Sequence, residues 1–379
     1  MSETELSLRE ATTQDSHSLN TFFTSIPTFG SITFKISREE QFFSFYQRLG
    51  IPYKTYILQD QGEILGTASF LIRELRFNDH ILKIAQACDL RIAQNRKAIL
   101  SWSKFFQPLL EEIRSKENCD AFLTSINHTE TQTMNAFIRP KTRRSGQPTY
   151  SLSRKYNLVS IHGRYPWQTK PNPNILVRPY NTSDKTNLIA YIQQQLTNYC
   201  FVPKELSENV ADYIHHSLLY SWSQFLIAFD KGGKIVGCVQ PISSSLLQDY
   251  LPQDYDPRAH NFRQFLKFAQ LLHWGRKLTR PFSRSQKQEA LHFRMLHFFL
   301  FDHAEVQKAL LQVAYKTSKQ NEFLVYAFEK SDFSKRPPKG SIFAETPYGL
   351  YNIETTDRDI LFDLSMNNTQ PAWLDLIWF

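Results

Sequence analysis

The feature that most constrains this sequence is that it repeats itself, in order. Near the start, Leu6-Ser-Leu-Arg-Glu-Ala11 alternates apolar and polar residues and leads to Asp15, and Leu176-Val-Arg-Pro-Tyr180 leads to Asp184 in the same way. Arg9 and Asp15 are six apart, as are Arg178 and Asp184. Each copy reads as a strand, an acidic helix cap and an amphipathic helix. Next, Tyr56-Ile-Leu58 turns through Asp60-Gln-Gly62 into Ile64-Leu-Gly66, and Ile227-Ala-Phe229 turns through Asp230-Lys-Gly-Gly233 into Ile235-Val-Gly237. Both read as antiparallel hairpins with a tight glycine turn. Then Leu109-Leu110 precedes Phe122-Leu123 by thirteen, and Leu310-Leu311 precedes Phe323-Leu324 by thirteen, a helix before a strand in each case. The offsets between copies are 169, 171 and 201, so the second copy carries an insertion around Ser243–Gln288. Three matches in one order indicate a duplicated unit.

A chain of 379 residues, 41% hydrophobic and 14% aromatic, has material for two cores. The stretch PWQTKPNPN, Pro166–Asn174, reads as an extended linker between a unit at 1–165 and a unit at 175–379. The first unit continues with a strand at Ile81–Ile92, a helix at Lys97–Lys116 and a strand at Ala121–Ile126. A helix around Thr131–Phe137 and one or two strands within Tyr150–Ile161 complete it. Hairpins in the middle of the pattern predict a mixed α/β sheet of the α+β kind, not a doubly wound parallel one.

No apolar run approaches 18 residues, so no membrane-spanning helix is expected. The opening MSETELSLRE lacks the features of a secretory signal. Cys88, Cys119, Cys200 and Cys238 are far apart and form no CxxC pair, which points to a reducing, cytoplasmic compartment. The net charge of +8 suits an anionic ligand. It would also suit nucleic acid, but no RNA-binding motif is present.

The order of elements resembles the GNAT (Gcn5-related N-acetyltransferase) fold, as two tandem GNAT-like units. LSLREATTQD looks like the family's first strand and helix cap, and YILQDQGEILGTASF like its second and third strands. Cys88-Asp-Leu-Arg-Ile-Ala-Gln-Asn-Arg-Lys97 before a long helix looks like its fourth strand and acyl-CoA loop. Asn127 after the fifth strand, and Asn135 in the next helix, are also positioned as in the family. In that family, spaced glycines in the turn let backbone amides and the helix N-terminus bind the CoA pyrophosphate. Here Lys97 takes the Arg/Gln position, Ala98 the small slot, and Leu100 and Trp102 the glycine positions, so the loop is degenerate. The second unit has Asp302 and Glu305 at the matching turn, read as a helix cap and its reciprocal partner, which would repel pyrophosphate.

The resemblance therefore implies an acyl-CoA-dependent N-acyltransferase, with acetyl-CoA or another acyl-CoA held by the first unit. The cofactor candidates are Arg91, Ile92, Gln94, Asn95, Arg96, Lys97, Ala98, Asn127 and Asn135. Transfer to an amine, on a small molecule or a peptide, needs a base and an acid. Glu74 and Asp89 are the base candidates and Tyr150 the acid candidate. The bland alternatives are a solvent-facing strand residue for Glu74 and core packing for Tyr150. Two other readings stay open: a non-catalytic binding or scaffold protein, and a transferase that uses aminoacyl-tRNA. The turn Gln94–Ser101 discriminates, because Leu100 or Trp102 filling the cleft would oppose catalysis.

The histidines show no metal-ligand spacing and HExxH is absent, so no metal is expected. The basic, aromatic insertion near 243–288 places Phe262, Phe265, Leu266, Ala269 and Leu272 at helical spacing, which predicts a helix covering the sheet. Lys141–Gly146 is a second basic loop. The apolar C-terminus, Pro371–Phe379, is expected to dock as a strand or clasp.

Overall fold

A computed structural model describes residues 6–38, 41–139, 147–283, 288–355 and 370–375. Unit one comprises β1 (Ser7–Glu10), α1 (Ser16–Ser25), β2 (Ile32–Ser37), α2 (Ser44–Leu49), β3 (Tyr53–Asp60), β4 (Glu63–Phe77), β5 (His80–Ile92), α3 (Arg96–Glu117), β6 (Ala121–Asn127), α4 (Thr131–Thr133) and β7 (Thr149–Arg164). Unit two begins with β8 (Leu176–Pro179), α5 (Lys185–Leu196), β9 (Val202–Pro203), α6 (Lys204–Glu208) and α7 (Val210–His216). It continues with β10 (Leu226–Phe229), β11 (Ile235–Ser243), β12 (Asp249–Tyr255), α8 (Pro257–Leu271), β13 (Phe293–Phe301), α9 (Ala304–Thr317), β14 (Phe323–Glu329) and β15 (Ser341–Glu354).

The repeated residues are matching parts. Arg9 grips Asp15 through two bonds of 2.8 and 2.6 Å, and Arg178 grips Asp184 at 2.7 and 2.8 Å. Each acid also accepts the amide that opens its turn, from Thr12 or Asn181. Gly66 and Gly237 both lie beneath the helix that follows the bulged strand. A Cβ at 66 would come within 3.1 Å of the Trp102 ring, and one at 237 within 2.5 Å of Val306. One turn departs from expectation. His303, not Asp302, holds the cap position of α9 and makes no side-chain cap bond. Asp302 instead accepts from Tyr191 (3.0 Å) and Gln195 (2.9 Å) of α5.

The units share one mixed sheet, in the order β1-β3-β4-β5-β6-β15-β7-β14-β13-β11-β10-β8, with β9 pairing onto β4. The last strands are exchanged. β15 of unit two lies between β6 and β7, and β7 of unit one pairs with β14. The exchange covers two edges that separate units would leave open. The insertion supplies β12, which pairs with β2 as a two-stranded ribbon, and α8. Leu266 and Ala269 of α8 join a core with Phe293, Met295, Phe323 and Val325, while Arg258 and Lys267 stay exposed. The loop Lys141–Gly146 lies outside the described residues. Among the described residues, no helix is long and apolar enough to cross a membrane.

Candidate active site

β5 and β6 pair in parallel from Ile84–Ala121 to Ala87–Thr124 and then part. The cause lies in β5. Its register against β4 slips between Thr67 and Ser69, and Asp89 adopts a φ of +54°. A bulge of this kind bends the strand and leaves backbone groups out of the ladder. Asp tolerates the left-handed region better than most side chains. β13 carries the same device: its register against β11 slips between Cys238 and Gln240, Phe298 has a φ of +47°, and pairing with β14 stops at Met295–Val325.

The two splayed regions are filled differently. In unit two the gap holds the chain's own C-terminal segment. Trp373 packs against Tyr199 and Phe298, with ring centroids 5.4 and 5.9 Å apart. The Ala372 amide donates to Glu329 Oε2 (2.8 Å), and the Trp373 amide to the Cys200 carbonyl (2.8 Å). Asp375 forms a buried ion pair with Arg73 of β4 at 2.9 Å. The space left beside this segment is about 30 Å³, enough for about one water. The docking expected of the C-terminus thus extends at least through Asp375, and 376–379 lie outside the described residues.

In unit one the splayed strands open into a cavity of about 1570 Å³ lined by residues of both units. Trp102 forms a wall of it, 3% exposed and tilted against Phe106 at 5.7 Å, and leaves the cavity open. Among the described residues, the Nε1 of Trp102 and the Nε of Arg91 are buried without a hydrogen-bond partner. The other Arg91 nitrogens donate to the Leu90 carbonyl (3.0 Å) and Thr28 Oγ1 (2.7 Å). Burial lowers the Arg91 pKa, against the attraction of Asp89 and Glu130.

Asp89 is not a free carboxylate. Its Oδ2 accepts from Arg38 Nη2 at 2.6 Å and from the Tyr46 hydroxyl, which lies 2.6 Å from Ser69 Oγ. Arg38 is 1% exposed, and its guanidinium sits 4.1 Å from the Phe45 ring centroid and 4.6 Å from that of Phe23. Its Nε donates to Gln248 of unit two at 2.9 Å. Burial would lower the Arg38 pKa, but Asp89 and Tyr46 more than offset it and hold it above the ordinary value. The bulge is therefore pinned by a buried cation inside a cage of rings.

The sequence-derived candidates divide into three groups. Asp89, Arg91, Ile92, Gln94, Asn127, Asn135 and Tyr150 all line the cavity. Asn95 caps α3 by accepting the Ala98 amide at 2.8 Å, Ala98 is buried, and Arg96 and Lys97 are exposed, Lys97 paired with Asp60. Glu74 is elsewhere: it pairs in register with Lys83, is bonded to Lys204 at 2.7 Å, and lines no part of the cavity. Alternation along β4 could not show which end of the strand faced the site. Sequence reasoning missed Arg38 and Glu130. Arg38 sits in a connection with no periodicity; its signal was the run Phe42, Phe43, Phe45 and Tyr46 close behind it. Glu130 lines the cavity, and burial raises its pKa against a bond from Thr133 and the charge of Arg91. Burial also raises the pKa of Tyr150. Among the described residues, no group of three or more His, Cys, Asp or Glu side chains could hold a metal ion.

No protein-family profile and no curated protein matches the sequence. Solved structures do match the fold. A GCN5-related N-acetyltransferase from Sphaerobacter thermophilus aligns over 94% of this chain and 98% of its own, with a TM-score of 0.53 and 9% identity. N-myristoyltransferase from Saccharomyces cerevisiae with bound myristoyl-CoA aligns over 93% of this chain and 84% of its own, at a TM-score of 0.51 and 10% identity. A fungal multi-domain GH3 β-N-acetylglucosaminidase with a GCN5-related glucosamine N-acetyltransferase region aligns over 93% of this chain, at a TM-score of 0.54 and 12% identity. This chain spans 38% of that protein's length. The fold is thus GNAT-like, as two tandem units joined in one sheet by exchanged last strands.

Proposed function

We propose that the protein is an acyl-CoA-dependent N-acyltransferase with its donor site in unit one. The observation that carries this reading is the open cavity at the splayed ends of β5 and β6, beside the Asp89 bulge. The residues there fit a phosphorylated thioester. Arg91 and Gln94 line the cavity, and Asn95, Arg96 and Lys97 open α3, whose N-terminus favours anions. The unpartnered Arg91 Nε adds a buried donor. Side chains thus stand in for the backbone approach that glycines would allow.

Acyl transfer forms a bond from the amine nitrogen to the acyl carbon and breaks the carbon–sulfur bond. One proton leaves nitrogen, and the departing sulfur takes one up. Amides freed by the bulge would meet the charge that develops on the carbonyl oxygen. Tyr150 is kept protonated by burial and suits the role of acid toward sulfur. Glu130, with its raised pKa, suits the role of base better than Asp89, whose Oδ2 is engaged by Arg38 and Tyr46. Asp89 then serves as a positioning residue that fixes the bulge.

Thermal unfolding with and without CoA and acetyl-CoA tests the reading. Ligand at a hundredfold over its dissociation constant should add about 2.7 kcal/mol. Tyr150→Phe should lower turnover by a factor of about 10²–10⁴ while ligand-induced stabilisation persists. No stabilisation by CoA or any acyl-CoA would leave the non-catalytic binding protein as the better account.

A further inference from the structure

The cavity extends well beyond the donor cleft. From β5 it crosses β6, β15, β7 and β14 to reach β13, five inter-strand steps or about 24 Å at the usual spacing. Its volume of about 1570 Å³ exceeds the roughly 300–1,000 Å³ of ordinary small-ligand pockets. The two ends differ in chemistry. Arg91, Gln94, Asn127 and Glu130 line the unit-one end. The far end is walled by Phe262, Leu278, Leu291, Phe293, Met295 and Val325. Phe262 and Leu278 come from the insertion that unit one lacks, so the roof of this end has no counterpart in the other half. The histidine at this end, His162, has its ring 4.4 Å from Phe323 and 5.3 Å from Phe262, centroid to centroid. Arg258, also in the lining, is exposed at the start of α8.

We infer that the far end is a chamber for a hydrocarbon chain carried by one of the two substrates, and that the insertion exists to roof it. The apolar wall rewards every methylene removed from water. Of the polar groups nearby, His162 Nε2 and Ser160 Oγ are bonded to each other at 2.9 Å, and His162 Nδ1 is buried with no partner among the described residues. The inference rests on the N-acyltransferase reading of the same cavity. The chain is either the acyl group of the donor or an alkyl group of the amine acceptor.

Calorimetry with two series separates these sources. One series is CoA, acetyl-CoA, octanoyl-CoA and palmitoyl-CoA; the other is butylamine, octylamine and dodecylamine. Affinity in one series should rise about fourfold per methylene until the chamber is full. Val325→Phe, which shortens the chamber, should flatten that rise. Phe262→Ala, which widens it, should shift the best chain length and serves if the first variant does not fold. If CoA binds but neither series depends on chain length, the chamber is overturned and the transferase reading stands. If alkylamines bind by length while CoA and its thioesters do not bind, the chamber stands and the transferase reading fails.

Discussion

At β5 the bulge residue is Asp89, gripped by Arg38 and Tyr46, and the strands part around an open cavity. At β13 the bulge residue is Phe298, packed against Trp373, and the strands part around residues of the chain's own C-terminus. The backbone device is the same in both places, down to the positive φ. What differs is the side chain on the bulge and what stands between the strands. The bulge with the ionic pin faces an open space, whereas the apolar bulge packs against Trp373 of a segment anchored by the Asp375–Arg73 pair. The sheet thus splays in two places, and the chain itself fills the second.

The largest effect should come from the plug's anchor. Asp375→Ala takes from Arg73, which is 6% exposed, the carboxylate that it meets at 2.9 Å. Breaking a buried pair in this way costs about 3–5 kcal/mol. Chemical denaturation should show that loss, and Arg73→Met with Asp375→Leu should recover most of it. A loss under about 1 kcal/mol for Asp375→Ala would mean that the pair does not hold the plug.

Acid should weaken both regions together. Burial lowers the pKa of His162, at the cavity, and of His297, beside the plug, to about 3 each. The unfolded chain takes up these protons below about pH 6.5. Between 6.5 and 3 the unfolded state therefore binds more protons, and stability falls as the pH falls. At pH 5 the two together should cost roughly 4 kcal/mol. Unfolding measured from pH 7 to 5 should show this slope, about halved in His297→Gln; an unchanged slope in that variant would remove His297 from the account.

A smaller contrast lies beneath the two helices. Gly237→Ala should cost more than Gly66→Ala, within the roughly 1–3 kcal/mol of overpacking. The added methyl at 237 meets Val306 at 2.5 Å, whereas at 66 it meets the Trp102 ring at 3.1 Å. Equal losses would show that the two helices sit equally close, against the geometry.

Much of this fold is legible in the sequence because the repeats are local. The six-residue Arg–Asp spacing, the hairpin turns and the helix-to-strand intervals all encode contacts between near neighbours. The exchange of β7 and β15 is not legible, since nothing within either strand says which edge it will join. The candidate site divides on the same line. The residues at the bulge and around the start of α3 follow from the order of elements, and seven of the sequence-derived candidates line the cavity. Arg38 pins the bulge from a connection without periodic pattern, and the partner of its Nε is Gln248, 210 residues away. Glu74 shows the converse, a charged strand residue whose partner, Lys204, lies in unit two.

The molecule has one open cleft and one closed by its own chain. Isothermal titration of the full chain with CoA tests it most directly. One molecule should bind per chain, and binding should be lost in Arg91→Ala and retained in Trp373→Phe. Two equivalent sites per chain, or a single site abolished by Trp373→Phe and indifferent to Arg91→Ala, would contradict it.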